Sequence, residues 1–357
     1  MTGSREQNLK DSALLFLKDL LTLENGKRIL FYADKGSDSH IVRILHESVG
    51  EIGAKSEVFE LDSTLALPVM AQNLTEKIER GSFDVICELS EQYFYQTAAW
   101  QKALQLGSRL YSIGGLSADG FIRCIGKANY DLIYEFGTGL RSILEKAKSI
   151  QISTEKGTDI RLEMNISFVD RIITKLTGEK RPYAYVTRPS GKLSQDVPAT
   201  FLGGQIAFNG IPETIEGTAV IDGYVWPPQE IGHINEPISL EIRKGRVTDV
   251  NSNSLKSRIF AEWLNGRTNE IKHFCIGFHP GARLSGALIE AERVFGNISV
   301  GIGEYPFHTD GVIMNPTLLL NNEIIEKDGS FIYKELSIIE KKLKVGKHQD
   351  RYQRLTT

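Results

Sequence analysis

Arg28-Ile29-Leu30-Phe31-Tyr32-Ala33, followed at once by Asp34-Lys35-Gly36-Ser37-Asp38, is the stretch on which the reading of the fold turns. An apolar run of this length, closed by a polar turn containing glycine, has the signature of a strand buried on both faces. The same texture returns at 55–61, 85–89 and 108–114, with helical stretches between. Strands separated by helices of that length need crossover connections and so lie parallel. The expectation is an α/β N-terminal domain over 1–148 with a parallel, doubly wound, Rossmann-like sheet. The turn after the first strand has neither G-x-G-x-x-G nor a Walker lysine, which argues against nucleotide phosphates there. Ile113-Gly114-Gly115-Leu116, at the end of the fourth strand, reads as a tight turn.

Beyond Ser149 the pattern changes to hairpins. Segments 150–154 and 159–164 flank Glu155-Lys156-Gly157-Thr158, and 238–243 and 246–250 flank Lys244-Gly245. A helix over 254–264, a strand over 272–278, a helix over 286–295, strands over 297–301 and 310–320 and a helix over 335–344 complete an α+β C-terminal domain, 149–357. Segment 178–198, rich in proline, glycine, serine and charge, reads as a surface loop or a lid over a cleft, with the loop favoured. The charged tail 348–357 is expected to fray or to pack on a neighbouring subunit.

Composition narrows the partners. A chain of 357 residues exceeds one average core, and 41% apolar with 24% charged residues is ordinary for a folded protein. A net charge of -3 with no basic stripe gives no footprint for nucleic acid. No apolar run approaches the roughly 20 residues of a membrane span, and 1–10 lacks the order of a secretory signal, so a cytoplasmic location away from membranes is expected. Cys87, Cys124 and Cys275 are widely spaced and odd in number, and read as small buried apolar residues rather than disulfide partners.

Three of the seven histidines, His273, His279 and His308, fall within 273–310, together with Glu290 and Glu292. In Phe307-His308-Thr309-Asp310 the His and Asp are two apart, so in an extended segment both side chains leave one face and can converge on one ion. His273, opening the apolar run His273-Phe274-Cys275-Ile276-Gly277, is the candidate third ligand, with His279 as the alternative. Two imidazoles and a carboxylate leave coordination positions open, an arrangement favoured by non-haem Fe(II) oxygenases. His279, before Pro280-Gly281, reads as a loop residue suited to proton transfer or substrate contact. Only one of Glu290 and Glu292 should face inward from a helix, with solvated surface as the plain expectation for either.

The order of several short motifs carries a resemblance. They are Lys156-Gly157-Thr158-Asp159-Ile160, Gly203-Gly204-Gln205-Ile206-Ala207-Phe208, Glu216-Gly217-Thr218-Ala219-Val220-Ile221-Asp222, Ile276-Gly277-Phe278-His279-Pro280-Gly281-Ala282, Ala291-Glu292-Arg293, Ser299-Val300-Gly301-Ile302-Gly303 and His308-Thr309-Asp310-Gly311. Together they resemble the thermophilic metallo-aminopeptidase family of the aminopeptidase T and S type (leucyl aminopeptidase-like), whose members hold two metal ions. Against that pattern, Gln205 stands at the glutamate of G-E-V-F, His273 at the bridging glutamate and Ser299 at the histidine of H-x-A-L-G. His308 and Asp310 are kept.

Such a site implies one ion rather than two. In its metal site the chain is similar to the 2,5-dihydroxypyridine dioxygenase branch, with His273, His308 and Asp310 as the matching triad. The resemblance implies one Fe(II) per chain, a small aromatic or heteroaromatic substrate, O2 as co-substrate and a homo-oligomer. Catalytic roles then fall to His279, Glu292 and Ser299, and pocket contacts to Gln205, Phe278, Tyr305 and Phe307. A metal-dependent aminopeptidase with two zinc or cobalt ions is the alternative, and a non-catalytic scaffold a second one.

Overall fold

The computed structural model describes residues 2–164 and 184–346, apart from 96, 252, 253 and 306. Part of the expected loop 178–198, and the expected tail 348–357, lie outside the described residues. The chain has an α/β fold with one five-stranded parallel sheet and two antiparallel sheets. Contacts divide it into two units, the first Met1–Tyr130 with Ser190–Gly203, the second Asp131–Pro189 with Gly204–Thr357.

This division departs from the single boundary at 148 for two reasons. Ala199–Phe201 pairs in parallel with Arg109–Ser112 as a fifth strand, so the chain returns to the first unit. Helix Tyr130–Leu144 places Phe136 among Phe278, Phe295 and Phe331 of the second unit, with ring centroids 4.9–5.4 Å apart.

In the first unit the strands run in the order Lys55–Glu60, Arg28–Ala33, Val85–Glu88, Arg109–Ser112, Ala199–Phe201. One face buries Leu30, Tyr32, Ile86 and Leu110 against Leu74, Ile78 and Trp100. The polar turn after the first strand is held from within: Asp34 accepts hydrogen bonds from Gly36 N, Ser37 Oγ, Glu91 N and Gln92 N at 3.0–3.1 Å. At the strand ends the Tyr32 hydroxyl donates to Glu88 Oε1 at 2.9 Å and accepts from Trp100 Nε1 at 2.8 Å. Burial pushes the Glu88 carboxyl up to about 7.

The second unit carries an eight-stranded and a seven-stranded antiparallel sheet. The first runs Arg246–Val250, Ile238–Arg243, Glu216–Ile221, Asp159–Glu163, Ser149–Ser153, Thr317–Leu320, Glu323–Lys327, Ser330–Phe331. The second runs Gly232–His233, Tyr224–Trp226, Thr309–Met314, Asn297–Ile302, Ile271–Gly277, Gln205–Asn209, Tyr185–Val186. Gly311 marks where the two sheets approach, because a Cβ there would lie 2.3 Å from Ile221 Cδ1. Since side chains alternate along a strand, Phe274, Ile276, Ile298, Val300 and Ile313 share the face of Gly311 and form the core between the sheets. The opposite face of the seven-stranded sheet is left for polar groups.

Two motifs are joined here by plain structural bonds. The Thr158 hydroxyl accepts from Val220 N at 3.0 Å, and Lys156 Nζ lies 2.8 Å from Asp222 Oδ2, so the hairpin turn is stitched to strand Glu216–Ile221. The expected strand 310–320 breaks in two, because Asn315 takes a left-handed φ of 53° and Pro316 has no N–H for a ladder. The expected helix 286–295 shrinks to Leu288–Ala291, since the chain must reach strand Asn297–Ile302 through Gly296 at φ 77°.

Candidate metal centre

The polar face is assembled by cross-strand pairing. His273 lies opposite Gly301 on the neighbouring strand, and Gly301 lies opposite Asp310 on the next. Cross-strand partners share a face, so His273 and Asp310 flank a residue without a side chain. A Cβ on Gly301 would stand 2.3 Å from His273 Nε2. The imidazole therefore reaches across the middle strand, bringing Nε2 to 3.0 Å from Asp310 Oδ1. His308 comes from the other direction, with Nε2 3.1 Å from Asp310 Oδ2.

The pairing of His273 depends on an irregularity. Ile271 pairs with Ile302 but His273 with Gly301, so Lys272 is an extra residue, a β-bulge of the kind that re-aims a side chain beside functional sites. The bulge is anchored rather than loose. The Lys272 carbonyl accepts from Tyr185 Oη at 2.9 Å and Asn209 Nδ2 at 3.1 Å, and its ammonium pairs with Glu270 at 2.6 Å and Glu304 at 2.7 Å.

His308 is oriented from behind. Its Nδ1 lies 2.9 Å from the Gly303 carbonyl, which can only accept, so the proton sits on Nδ1 and Nε2 is the atom turned toward Asp310. Burial alone would lower the imidazole, but Asp310, Gly303 and Glu292 outweigh it and hold His308 at about 9. Burial likewise opposes ionisation of Asp310, yet the two histidines hold that carboxyl well below the usual carboxylate range. The side chains of His273 and His308 are 22% and 31% exposed, so the centre opens to solvent on the imidazole side while Asp310 lies at its floor.

His273, His308 and Asp310 each offer a ligand atom within 4.8 Å of the others. Two imidazole nitrogens and a carboxylate are a donor set that suits a divalent ion and leaves coordination positions open.

The remaining expected residues fall in three places. Glu292 and Ser299 share the polar face: Ser299 Oγ donates to Glu292 Oε1 at 3.3 Å, and Ser299 stands opposite Cys275. Burial, reinforced by Asp310, pushes the Glu292 carboxyl up against the pull of Arg293, His273 and His308. His279 is fully buried, with Nδ1 accepting from Gly281 N at 3.1 Å, and belongs to neither ligand group found among the described residues. Gln205 shares the face but pairs with Gly277, four residues along the strand from His273.

Two expected pocket contacts have packing partners of their own. Phe278 falls on the core side and packs on Phe136, because alternation from His273 turns even positions inward. Phe307 is 42% exposed and holds the Arg267 guanidinium against Trp263, with the charge 4.2 and 4.1 Å from the two ring centroids. Tyr305 is half-buried, which raises its hydroxyl. Both glutamates are buried, contrary to the solvated expectation, since Glu292 lies past the end of a four-residue helix and the i, i+2 argument does not reach it. Glu290 instead closes the loop before the helix, accepting from Arg283 N at 2.8 Å and from Ser285 Oγ.

Sequence reasoning missed Gly277, Gly301, Cys275, Trp226 and Arg293. Gly277 lets the backbone of 292–294 cross the sheet, since a Cβ would meet the Glu292 and Val294 carbonyls at 2.5 Å. A glycine inside a strand is itself a signal of close approach, which Gly277 and Gly301 both carried. Trp226 pairs with Asp310 and so shares its face.

No family model matches the sequence, and no curated protein matches it. Among solved structures, 2,5-dihydroxypyridine dioxygenase from Pseudomonas putida KT2440 superposes with a TM-score of 0.69 at 15% identity, over 93% of this chain and 99% of that one. Wild-type AmpT from Thermus thermophilus superposes with a TM-score of 0.57 at 11% identity, over 92% and 99%. This chain shares their fold. At such identities the likeness concerns architecture alone, and the chemistry has to be argued from the side chains at the centre.

Replacing Gly301 with Ala tests the cross-strand arrangement. The imidazole must leave the space above residue 301, so divalent-metal affinity is expected to fall about 10-fold or more, the scale on which displaced supporting groups act. Equilibrium dialysis against Fe(II) measures it, and unchanged affinity would remove His273 from the centre.

Proposed function

We propose that the chain is a mononuclear non-haem Fe(II) oxygenase acting on a small aromatic or heteroaromatic substrate, with His273, His308 and Asp310 as ligands. The observation that carries this reading is the convergence of ligand atoms of His273, His308 and Asp310 within 4.8 Å of one another, together with the Gly303 carbonyl that fixes which nitrogen His308 presents. When bound, Fe(II) would supply the binding and activation of O2.

The chain's own groups have separate tasks in this scheme. The triad leaves its exposed side open, where substrate and O2 would meet. Trp226, on the rung of Asp310, is the aromatic wall nearest the ligands by pairing. Glu292, whose carboxyl burial pushes up, accepts from Ser299 Oγ, and the two are the pair suited to carrying a proton beside the triad. His279 holds the loop beside the strand end, its ring proton on Nε2 because Nδ1 accepts from Gly281. The alternative, an aminopeptidase, needs two hydrolytic ions and therefore a different stoichiometry.

The test is the metal content of protein reloaded anaerobically with Fe(II). One iron per chain with O2 uptake on adding dihydroxylated aromatic heterocycles is expected; two zinc or cobalt ions with release of N-terminal residues would overturn the proposal.

The pH dependence adds a signed prediction. The folded-state value of His308, about 9, exceeds the ordinary 6.5, so its pairing with Asp310 stabilises metal-free protein fully below pH 6.5 and is lost as pH rises through 9. Metal binding must expel that proton, so affinity should rise over the same interval. Thermal unfolding of the metal-free form and dialysis at stepped pH should therefore move in opposite directions.

A further inference from the structure

His273, Cys275 and Glu292 form a second ligand group, in which Cys275 has no part in the iron reading. Each offers one ligand atom, and the three lie within 4.8 Å of one another. The grouping follows from the sheet and the crossing segment. Cys275 is two residues past His273 and shares its face, Ser299 stands opposite Cys275, and Glu292 reaches Ser299 at 3.3 Å from the segment that crosses Gly277. Tetrahedral bonds of roughly 2.0–2.3 Å to nitrogen, oxygen and sulfur set ligand atoms about 3.3–3.8 Å apart, so the group closes on an ion by drawing inward.

The chemistry of the two groups differs. His273, His308 and Asp310 offer nitrogen and oxygen, which suit Fe(II). His273, Cys275 and Glu292 include sulfur, which selects softer ions such as Zn(II), Co(II) and Cd(II). His273 belongs to both, so a single imidazole is offered to two positions.

We propose that His273, Cys275 and Glu292 are a thiophilic metal position overlapping the iron centre, and that a soft divalent ion bound there withdraws His273 from Asp310 and displaces Fe(II). Binding converts the Cys275 thiol to a thiolate, with one sulfur–metal bond formed and one proton released to buffer. The inference rests on the iron reading only through the shared imidazole, because the sulfur position exists whether or not iron is the native metal.

The experiment is a Co(II) titration of metal-free protein, followed by the near-ultraviolet sulfur-to-cobalt charge-transfer band, with Cd(II) added to iron-loaded protein in parallel. Wild type should develop the band, Cys275→Ser should lose it while still retaining one Fe(II), and His308→Ala should keep it. Cd(II) should release iron one for one from wild type, and at least 10-fold more should be needed with Cys275→Ser. No band in wild type, a band that survives Cys275→Ser, or iron retained alongside bound Cd(II) overturns the proposal. Cys87 and Cys124 are buried in the first unit and serve as the internal control for stray thiols. A wild type with the band but without affinity for iron defeats the oxygenase reading and leaves the sulfur position standing.

Discussion

Replacing His308 with Ala is expected to empty the proposed iron centre, so that protein reloaded with Fe(II) keeps essentially none after gel filtration where wild type keeps one per chain. The size of the effect follows from what the residue supplies. His308 Nε2 is one of the three donors of the proposed centre, and its direction is set by the bond from Nδ1 to the Gly303 carbonyl. Losing merely an outer partner of a ligand costs about 10–100-fold in metal affinity, so losing the donor itself should cost at least about 100-fold. The fold should survive, because the side chain is 31% exposed and His308 lies just before strand Thr309–Met314. Metal analysis by atomic emission checks the loss, with circular dichroism and thermal unfolding as controls. Iron retained at wild-type level in a folded His308→Ala protein would dissociate the histidine from the centre.

Arg293→Met is expected to lower global stability by about 3–5 kcal/mol, the penalty for removing one partner of a buried ion pair and stranding the other. Arg293 is 1% exposed; its guanidinium donates to the Ile289 carbonyl at 2.7 Å and lies 3.3 Å from Glu292 Oε2. Methionine fills much of the volume but removes the guanidinium beside Glu292, leaving only His273 and His308 to offset the repulsion from Asp310. The double variant Arg293→Met with Glu292→Gln should recover part of the loss, since the stranded charge goes with its partner. Urea unfolding of the single and double variants measures both. Equal stability of Arg293→Met and wild type would show that the pair bears no weight in the fold.

The reach of the sequence differs from element to element. Arg28–Ala33 and the three strands after it were legible because a continuous apolar run between polar turns has few other ways to fold. The fifth parallel strand, Ala199–Phe201, was not, because three residues carry no periodicity and their partner lies at Arg109–Ser112, far away in the chain. Strand 310–320 was read through Asn315-Pro316, where the break depended on a left-handed residue that hydropathy does not see.

For the centre, the spacing of His308 and Asp310 could be turned into a shared face by the two-residue period of a strand, and the apolar run after His273 into a strand, without any tertiary information. What joined them was tertiary. The bulge at Lys272 and the absence of a side chain at Gly301 put His273 beside Asp310, and no local pattern announces either which strands become neighbours or in what register they pair. The same limit hid Cys275, the inward turn of Glu292 and the neighbours of Phe278 and Phe307, whose surroundings depend on which face meets the other sheet and on where Trp263 and Arg267 lie. Local sequence governs which way a side chain leaves its own strand; only long-range pairing, driven by burying the face of Phe274, Ile298 and Ile313, decides what that side chain meets.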